Sequence, residues 1–136
     1  MERFDRVPRS TAPQAVPRRP SVLIVDDEPL VRDLLVRRLQ NDGFDVREAA
    51  DGEDAVEQVH RDRPDIVLTD LNMPRCDGER LCQILKADVT TSEISVVLMT
   101  ASSIDEDVMR LVGFDDVLFK PLPRDLPDLL RAVLAD

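Results

Sequence analysis

Residues 22–27 have the sequence Val-Leu-Ile-Val-Asp-Asp, a short apolar run followed at once by two acids. Three of its four apolar residues are β-branched, which is typical of a strand covered on both faces in a parallel sheet. Residues 66–69 and 94–99 have the same character, and residues 44–49 and 117–119 are weaker strand candidates. The sequence therefore predicts five strands, the first of which ends directly before the acidic pair.

Amphipathic segments separate the strand candidates, because apolar residues there recur every three or four positions. The first helix would begin at Pro29, which suits a first turn, and would end at residues 41–43, Asn-Asp-Gly. Pro127 is compatible with the last helix only in its first turn. The positions assigned to apolar faces are Val31, Leu34, Leu35 and Leu39; Ala55, Val56 and Val59; Leu81, Ile84 and Leu85; Val108, Leu111 and Val112; and Leu126, Leu129, Leu130, Val133 and Leu134. This alternation predicts an α/β fold, an open parallel sheet with helices on both faces.

Length and composition favour a single domain. The chain has 136 residues, of which 43% are hydrophobic and 34% charged. Four prolines fall within the first 20 residues, so we expect residues 1–20 to form a flexible basic tail and residues 21–136 the folded domain.

Cys76 and Cys82 lack metal-ligand spacing, and no apolar run approaches the roughly 20 residues of a membrane span. We therefore expect a reduced cytoplasmic protein without a membrane partner.

The charge distribution argues against binding to nucleic acid. The net charge is −10, and residues 1–19 contribute five Arg against Glu2 and Asp5, a net +3, which leaves −13 for residues 20–136. Clustered Lys and Arg are what hold a phosphate backbone. We therefore expect no nucleic-acid partner.

Polar side chains stand where four of the predicted strands end: Asp26 and Asp27, Asp70, Thr100, and Lys120. In open α/β sheets, ligands bind outside the carboxyl ends of the strands, so these groups should meet. Three carboxylates placed together repel one another unless a cation balances them. A small hard cation such as Mg²⁺ is commonly held by one or two carboxylates together with phosphate oxygens. The pattern therefore indicates a site that handles phosphoryl groups.

The same residues resemble the receiver domains of bacterial response regulators, the phosphorylated proteins of two-component signalling, over about residues 21–135. The motifs that carry the resemblance are Asp26-Asp27, Asp70 with Met73-Pro74 and Gly78, Thr100-Ala101, and Lys120-Pro121. Each motif alone is modest, but all of them in order at the expected strand ends form a specific signal. The resemblance implies a flavodoxin-like (βα)5 doubly wound sheet with the strand order 2-1-3-4-5 of the family's chemotaxis member.

The resemblance also implies roles for the acids. Asp70 would be the phosphoacceptor and become a 4-aspartylphosphate. Mg²⁺ would be bound by Asp27, Asp70 and the backbone carbonyl of Asn72, with Asp26 acting mainly through water. Phosphoryl transfer in such a site depends mostly on positioning and electrostatic stabilisation.

Further residues would contact the phosphoryl group or respond to it. Lys120 would pair first with Asp70 and then with a phosphoryl oxygen, and Thr100 would donate its hydroxyl to another. Thr100 would thereby draw inward the loop that begins at Ala101. By the resemblance, Asn72 and Ser102 flank the phosphoryl group. Neither is a strong base, so we expect slow self-dephosphorylation and no turnover of an external substrate.

Two backbone features are also expected around the site. The Lys120-Pro121 bond is expected to be cis by the resemblance. Gly78 is expected to supply a backbone angle that other residues resist.

His60, the single histidine, is assigned to the surface, so the phosphoryl donor would be a sensor histidine kinase or a histidine phosphotransfer protein. The downstream protein is not identified by the sequence.

The sequence departs from the family at the switch. Receivers usually carry Tyr or Phe three residues before the lysine, but this chain has Val117, which is too small for aromatic gating. The interval from Thr100 to Lys120 is about two residues shorter than usual, and Phe114 replaces a small residue. These changes predict a short fourth helix and give no reason to assume the family's usual dimer.

Three other functions compete with a stand-alone phosphorylatable receiver. An adaptor of the same fold would act by protein contact, with marginal or no phosphorylation. A Mg²⁺-dependent phosphatase would generally have a second acid two residues after the nucleophile, where this chain has Asn72. A flavin or nucleotide binder would need a Gly-rich loop after the first strand, and none follows.

Overall fold

The computed structural model describes residues 18–135 as one parallel five-stranded sheet with five helices. Most of the predicted tail, residues 1–17, lies outside the described residues. The strands are β1 (Ser21–Val25), β2 (Asp45–Ala49), β3 (Ile66–Asp70), β4 (Ser95–Thr100) and β5 (Asp116–Phe119). The helices are α1 (Pro29–Asn41), α2 (Gly52–Arg61), α3 (Gly78–Ala87), α4 (Glu106–Val112) and α5 (Leu126–Ala135).

The strands lie in the order β2-β1-β3-β4-β5 and every neighbouring pair is parallel, which confirms the predicted fold class and strand order. The apolar strands β1, β3 and β4 occupy the centre, where both faces are covered. The polar strand β2 lies at an edge and exposes Asp45 and Glu48. Hydrophobicity along each strand thus agrees with its place in the sheet.

Two apolar layers cover the sheet, because alternate residues of a strand point to opposite faces. On one face, Leu23 and Val25 of β1 pack with buried residues of α2, α3 and α4. On the other face, Val22 and Ile24 pack with buried residues of α1 and α5. The two layers cover both faces of the sheet.

Helix boundaries follow local chemistry. Pro29 is the first residue of α1, and α1 ends before Gly43, whose φ is 91°. Asp51, Asp77 and Asp105 accept backbone N–H groups at the starts of α2, α3 and α4. Pro127 falls in the first turn of α5, as required. The fourth helix has 7 residues, which confirms that it is short.

The predicted apolar faces are wrong at three positions. Leu34 is 62% exposed, and Val108 and Leu111 of α4 are 47% and 87% exposed. Met109 instead turns inward and is 8% exposed. In α4, Met109 and Val112 are three residues apart, as are Val108 and Leu111. Either pair could therefore form the apolar face of this helix. Spacing alone could not decide which face of so short a helix meets the sheet.

No helix within residues 18–135 combines the length and apolarity needed to cross a lipid bilayer.

Gly78 is required because the structure leaves no room for a side chain at this position. The expectation that it supplies an unusual backbone angle is wrong. Positive φ occurs instead at Gly43, Gly113 and Arg75, where it is 91°, 131° and 66°. A Cβ at Gly78 would lie 2.2 Å from the backbone oxygen of Asp70, because the Gly78 N–H donates to the Leu71 carbonyl at 2.9 Å. The start of α3 therefore rests directly on the backbone of the loop after β3.

Gly78→Ala should destabilise the fold, because the added methyl group must displace backbone and cannot be accommodated by a side-chain movement. We expect the free energy of unfolding to fall by about 1–3 kcal/mol. Urea denaturation followed by circular dichroism measures the change. Gln83→Ala, an exposed substitution in the same helix, is the control and should stay within about 0.5 kcal/mol of wild type. Equal stability of the two variants would contradict the assigned role of Gly78.

Candidate functional site

Three carboxylates meet at the carboxyl edge of the sheet. Asp26 and Asp27 directly follow β1, and Asp70 is the last residue of the adjacent strand β3. One oxygen from each lies within 4.8 Å of the others. Asp26 is 0% exposed, Asp70 is half-buried and Asp27 is exposed. The cluster therefore has a closed floor at Asp26 and a side open to solvent at Asp27.

Lys120 supplies a cation to this cluster. It follows β5, and its backbone N–H donates to the Thr100 carbonyl at 2.9 Å. Its Nζ lies 3.4 Å from Oδ2 of Asp26 and 3.5 Å from Oδ1 of Asp70. The Lys120–Pro121 bond is cis, as expected. One amine thus faces two of the three carboxylates, those of Asp26 and Asp70.

Asp70 has an unfavourable environment for its ionised form. Burial raises the pKa of Asp70 above its ordinary value, and the carboxylate of Asp26 adds to the rise. The Lys120 ammonium and the Leu71 N–H, which donates to Asp70 Oδ1 at 2.9 Å, lower this pKa without cancelling the rise. A further cation at the cluster would stabilise ionised Asp70.

Asp26 is held by contacts on both of its carboxylate oxygens. Oδ1 accepts the N–H of Glu28 at 2.9 Å, and Oδ2 faces Lys120. Oxygens of Asp27 and Asp70 therefore remain better placed for a direct bond to an ion. Carboxylate oxygens are hard ligands of the kind that Mg²⁺ prefers, so the donor set fits that cation.

Among the predicted phosphoryl-contacting and tuning residues, Thr100 ends β4, and Asn72 and Ser102 lie in the loops after β3 and β4. Thr100 is 1% exposed, and its Oγ1 accepts the N–H of Ser102 at 3.0 Å. The Asn72 amide donates to Ser102 Oγ at 3.4 Å, which links the loops after β3 and β4. Ala101 lies exposed between Thr100 and Ser102.

The other two predicted switch residues differ in burial. Val117 is 5% exposed and packs in the core layer with α2, α3 and α4, whereas Pro121 lies on the exposed surface. Val117 fills its place in the core with an aliphatic side chain, and the described structure has no aromatic side chain at that position to move.

Contacts that the sequence did not indicate fix the loops around the site. The Arg32 guanidinium donates to the Asp26 carbonyl at 2.6 Å and to Glu48 at 3.0 Å. Arg75 pairs with buried Asp51, so the loop after β3 is tied to the start of α2. These pairs depend on which strands and loops are neighbours, so only the predicted strand order could have suggested them.

Three side chains outside the cluster have ordinary structural environments. His60 is on the surface, with Nδ1 2.9 Å from the Val56 carbonyl and Nε2 3.5 Å from Asp88. Cys76 and Cys82 are both buried thiols. Burial raises the pKa of Cys82 to about 12, so this thiol is protonated at neutral pH and is not a nucleophile.

Comparison with known proteins agrees with this geometry. The family model described as the response regulator receiver domain matches residues 22–133. The DNA-binding response regulator MtrA of Mycolicibacterium smegmatis is 37% identical over 119 residues, 85% of this chain and 51% of that protein. The DNA-binding dual master transcriptional regulator RpaA of Synechocystis is 36% identical over 120 residues, 85% of this chain and 48% of that protein. The chain spans about half the length of the curated relatives it matches.

A solved structure agrees with the fold. The crystal structure of a protein described as a response regulator from Chloroflexus aurantiacus aligns with a TM-score of 0.82 and 30% identity. The alignment covers 88% of this chain and 100% of that one.

The expectation of no nucleic-acid partner is wrong. Relatives that match most of this chain are DNA-binding regulators by name. Net charge over residues 20–136 describes the surface of those residues, and it does not exclude a partner bound through other parts of a regulator. The matched relatives are named as regulators, which favours signalling over turnover of an external substrate.

The sheet order, the acidic cluster with its lysine, and the family match over most of the sequence lead to one conclusion: this chain belongs to the response regulator receiver domain family of two-component signalling systems.

Proposed function

We propose that Asp70 accepts a phosphoryl group from a histidine of a partner protein, with Mg²⁺ bound at the acidic cluster. The observation that carries this proposal is the position of Asp70, half-buried with an oxygen 3.5 Å from Lys120 Nζ and within 4.8 Å of oxygens of Asp26 and Asp27. Such a carboxylate can act as a nucleophile toward phosphorus. The negative charge that Asp70 acquires would switch the interactions of this chain with other proteins.

The residues that would hold Mg²⁺ are Asp27, Asp70 and the backbone carbonyl of Asn72, with Asp26 reaching the ion through water. Two observations support this assignment. The carboxylate oxygens of the cluster are suitable Mg²⁺ ligands, and burial together with Asp26 raises the pKa of Asp70. When bound, the ion neutralises negative charge on the phosphoryl oxygens and on the carboxylates. Asn72 is exposed in the loop directly after β3.

In the transfer step, an Asp70 oxygen forms a bond to phosphorus while the bond between phosphorus and the donor histidine nitrogen breaks. The electron pair of the broken bond returns to the imidazole. Lys120, which faces both Asp26 and Asp70 beforehand, would then pair with a phosphoryl oxygen. The Thr100 hydroxyl would donate to another oxygen, and the Ser102 N–H that it accepts would move with it. The loop after β4 would therefore report phosphorylation.

Nucleic acid belongs among the partners to be tested. The relatives that motivate this are named as DNA-binding regulators, and the present chain spans about half of their length. An adaptor that acts by protein contact alone is the second candidate. The observations that favour it are the aliphatic Val117 and the 7-residue helix α4, since both weaken the usual route from phosphorylation to the surface.

Incubation with acetyl phosphate and Mg²⁺ should add one phosphoryl group to the chain. Asp70→Asn should abolish this addition, because the amide is not a nucleophile toward phosphorus. Intact-protein mass spectrometry measures the product, and omission of Mg²⁺ should slow its formation strongly.

The matched control is Asp33→Asn, which removes an exposed carboxylate on α1 and should leave phosphorylation unchanged. Phosphorylation of Asp70→Asn to the wild-type extent would contradict the assignment of Asp70. An unmodified wild-type chain under all these conditions would favour the adaptor.

Asp70→Asn should also stabilise the fold at neutral pH when divalent ions are removed. Burial raises the pKa of Asp70, so the folded state prefers the protonated carboxyl and the ionised group opposes folding. This penalty is absent below the ordinary pKa of 3.8 and grows as pH rises through the raised value. The gain in the free energy of unfolding should therefore be present at neutral pH and vanish in acid.

Urea denaturation followed by circular dichroism tests this pH dependence, since the chain has no Trp or Tyr for fluorescence. Asp33→Asn serves again as the comparison. A loss of stability in Asp70→Asn at neutral pH would show that ionised Asp70 is favoured by the fold and would contradict the expected sign.

A further inference from the structure

Arg32 connects the acidic cluster to the edge of the sheet. It lies in the first turn of α1, and its side chain is 16% exposed. Nη1 donates to the backbone carbonyl of Asp26 at 2.6 Å, and Nε donates to a carboxylate oxygen of Glu48 on β2 at 3.0 Å. A single guanidinium thus links helix α1, strand β2 and the turn that carries Asp26 and Asp27.

The turn after β1 is fixed at each polar group of Asp26. The Asp26 N–H donates to the Ala49 carbonyl at 3.2 Å, and its carboxylate accepts the Glu28 N–H and faces Lys120. The carbonyl, which leads into the peptide bond to Asp27, is the group that Arg32 holds. The contact therefore restrains the backbone directly before Asp27.

The geometry of Arg32 requires a guanidinium. Its planar fork presents donors in fixed directions, so one side chain can satisfy the Asp26 carbonyl and Glu48 simultaneously. A lysine carries the same charge on a single nitrogen and cannot reproduce this arrangement of donors. Charge and geometry can therefore be separated by one conservative substitution.

We propose that Arg32 is a positioning residue for the divalent-cation site. By holding the Asp26 carbonyl it fixes the turn that presents the carboxylates of Asp26 and Asp27, and so sets the affinity of the cluster for Mg²⁺. This inference rests on the Mg²⁺ site of the proposed function. It assigns Arg32 no contact with the ion or with the phosphoryl group.

The test compares Arg32→Lys and Arg32→Ala with wild type by calorimetric titration of Mg²⁺. We expect the dissociation constant for Mg²⁺ to rise about 10-fold in both variants, a typical loss when a group that orients a metal ligand is removed. The Mg²⁺ concentration that half-saturates phosphorylation by acetyl phosphate should rise in parallel. The rate at saturating Mg²⁺ should stay near that of wild type, because Arg32 does not touch the reacting atoms.

The matched control is Arg61→Lys, which alters another arginine that pairs with a glutamate. Arg61 Nη2 lies 3.4 Å from Glu57 on the exposed surface of α2, outside the acidic cluster. This variant should bind Mg²⁺ as wild type does. Circular dichroism and urea denaturation establish that each variant is folded, and Arg32→Lys keeps the test valid if Arg32→Ala does not fold.

The outcomes separate this inference from the proposed function. Weaker Mg²⁺ binding in folded Arg32→Lys supports it, even if the wild-type chain accepts no phosphoryl group. Wild-type affinity for Mg²⁺ in Arg32→Lys overturns it, while Asp70 phosphorylation can still hold. A lower saturating rate with unchanged Mg²⁺ affinity also overturns it, because that result indicates a role in transfer. Absence of Mg²⁺ binding by wild type would overturn both the cation site and the role of Arg32.

Discussion

The close approach of three carboxylates, Asp26, Asp27 and Asp70, at one edge of the sheet constrains the rest of this structure. Their oxygens lie within 4.8 Å of one another. Burial, with the Asp26 carboxylate adding to it, raises the pKa of Asp70, and the Lys120 amine, 3.4 Å from Asp26 and 3.5 Å from Asp70, offsets only part of that rise. A rigid sheet is needed to hold such groups together. A divalent cation bound at the cluster would therefore stabilise the ionised carboxylates.

The parallel sheet makes this arrangement possible at long sequence separation. Asp26 and Lys120 are 94 residues apart, yet their strands end at the same edge. The order β2-β1-β3-β4-β5 places the two acidic strand ends side by side and Thr100 and Lys120 on the strands beyond. New charge on Asp70 would act first on the loops after β3 and β4, which Asn72 and Ser102 already connect. Val117 is buried and α4 is short, so in the proposed function these loops, and not an aromatic side chain, would transmit the change.

The strands, the helices and the acidic cluster could be predicted from the sequence because each leaves a local pattern. Short β-branched runs predicted the strands, and acids directly after two of them predicted the meeting point. Contacts between residues distant in sequence could not be predicted in this way. The inward turn of Met109, the close approach of Gly78 to Asp70 and the contact of Arg32 with Asp26 all require the packed structure. The expectation of no nucleic-acid partner was wrong because net charge describes only the surface of the residues counted, whereas relatives that match most of this chain are DNA-binding regulators by name.

A crystal structure of the wild-type chain with Mg²⁺ and beryllofluoride, a phosphoryl mimic, would examine the cluster directly. We expect the beryllium bonded to a carboxylate oxygen of Asp70, the ion in contact with Asp27, Asp70 and the Asn72 carbonyl, and Lys120 turned toward a fluoride. Beryllofluoride bound elsewhere, or an ion that avoids these carboxylates under saturating conditions, would contradict the phosphoacceptor role of this site.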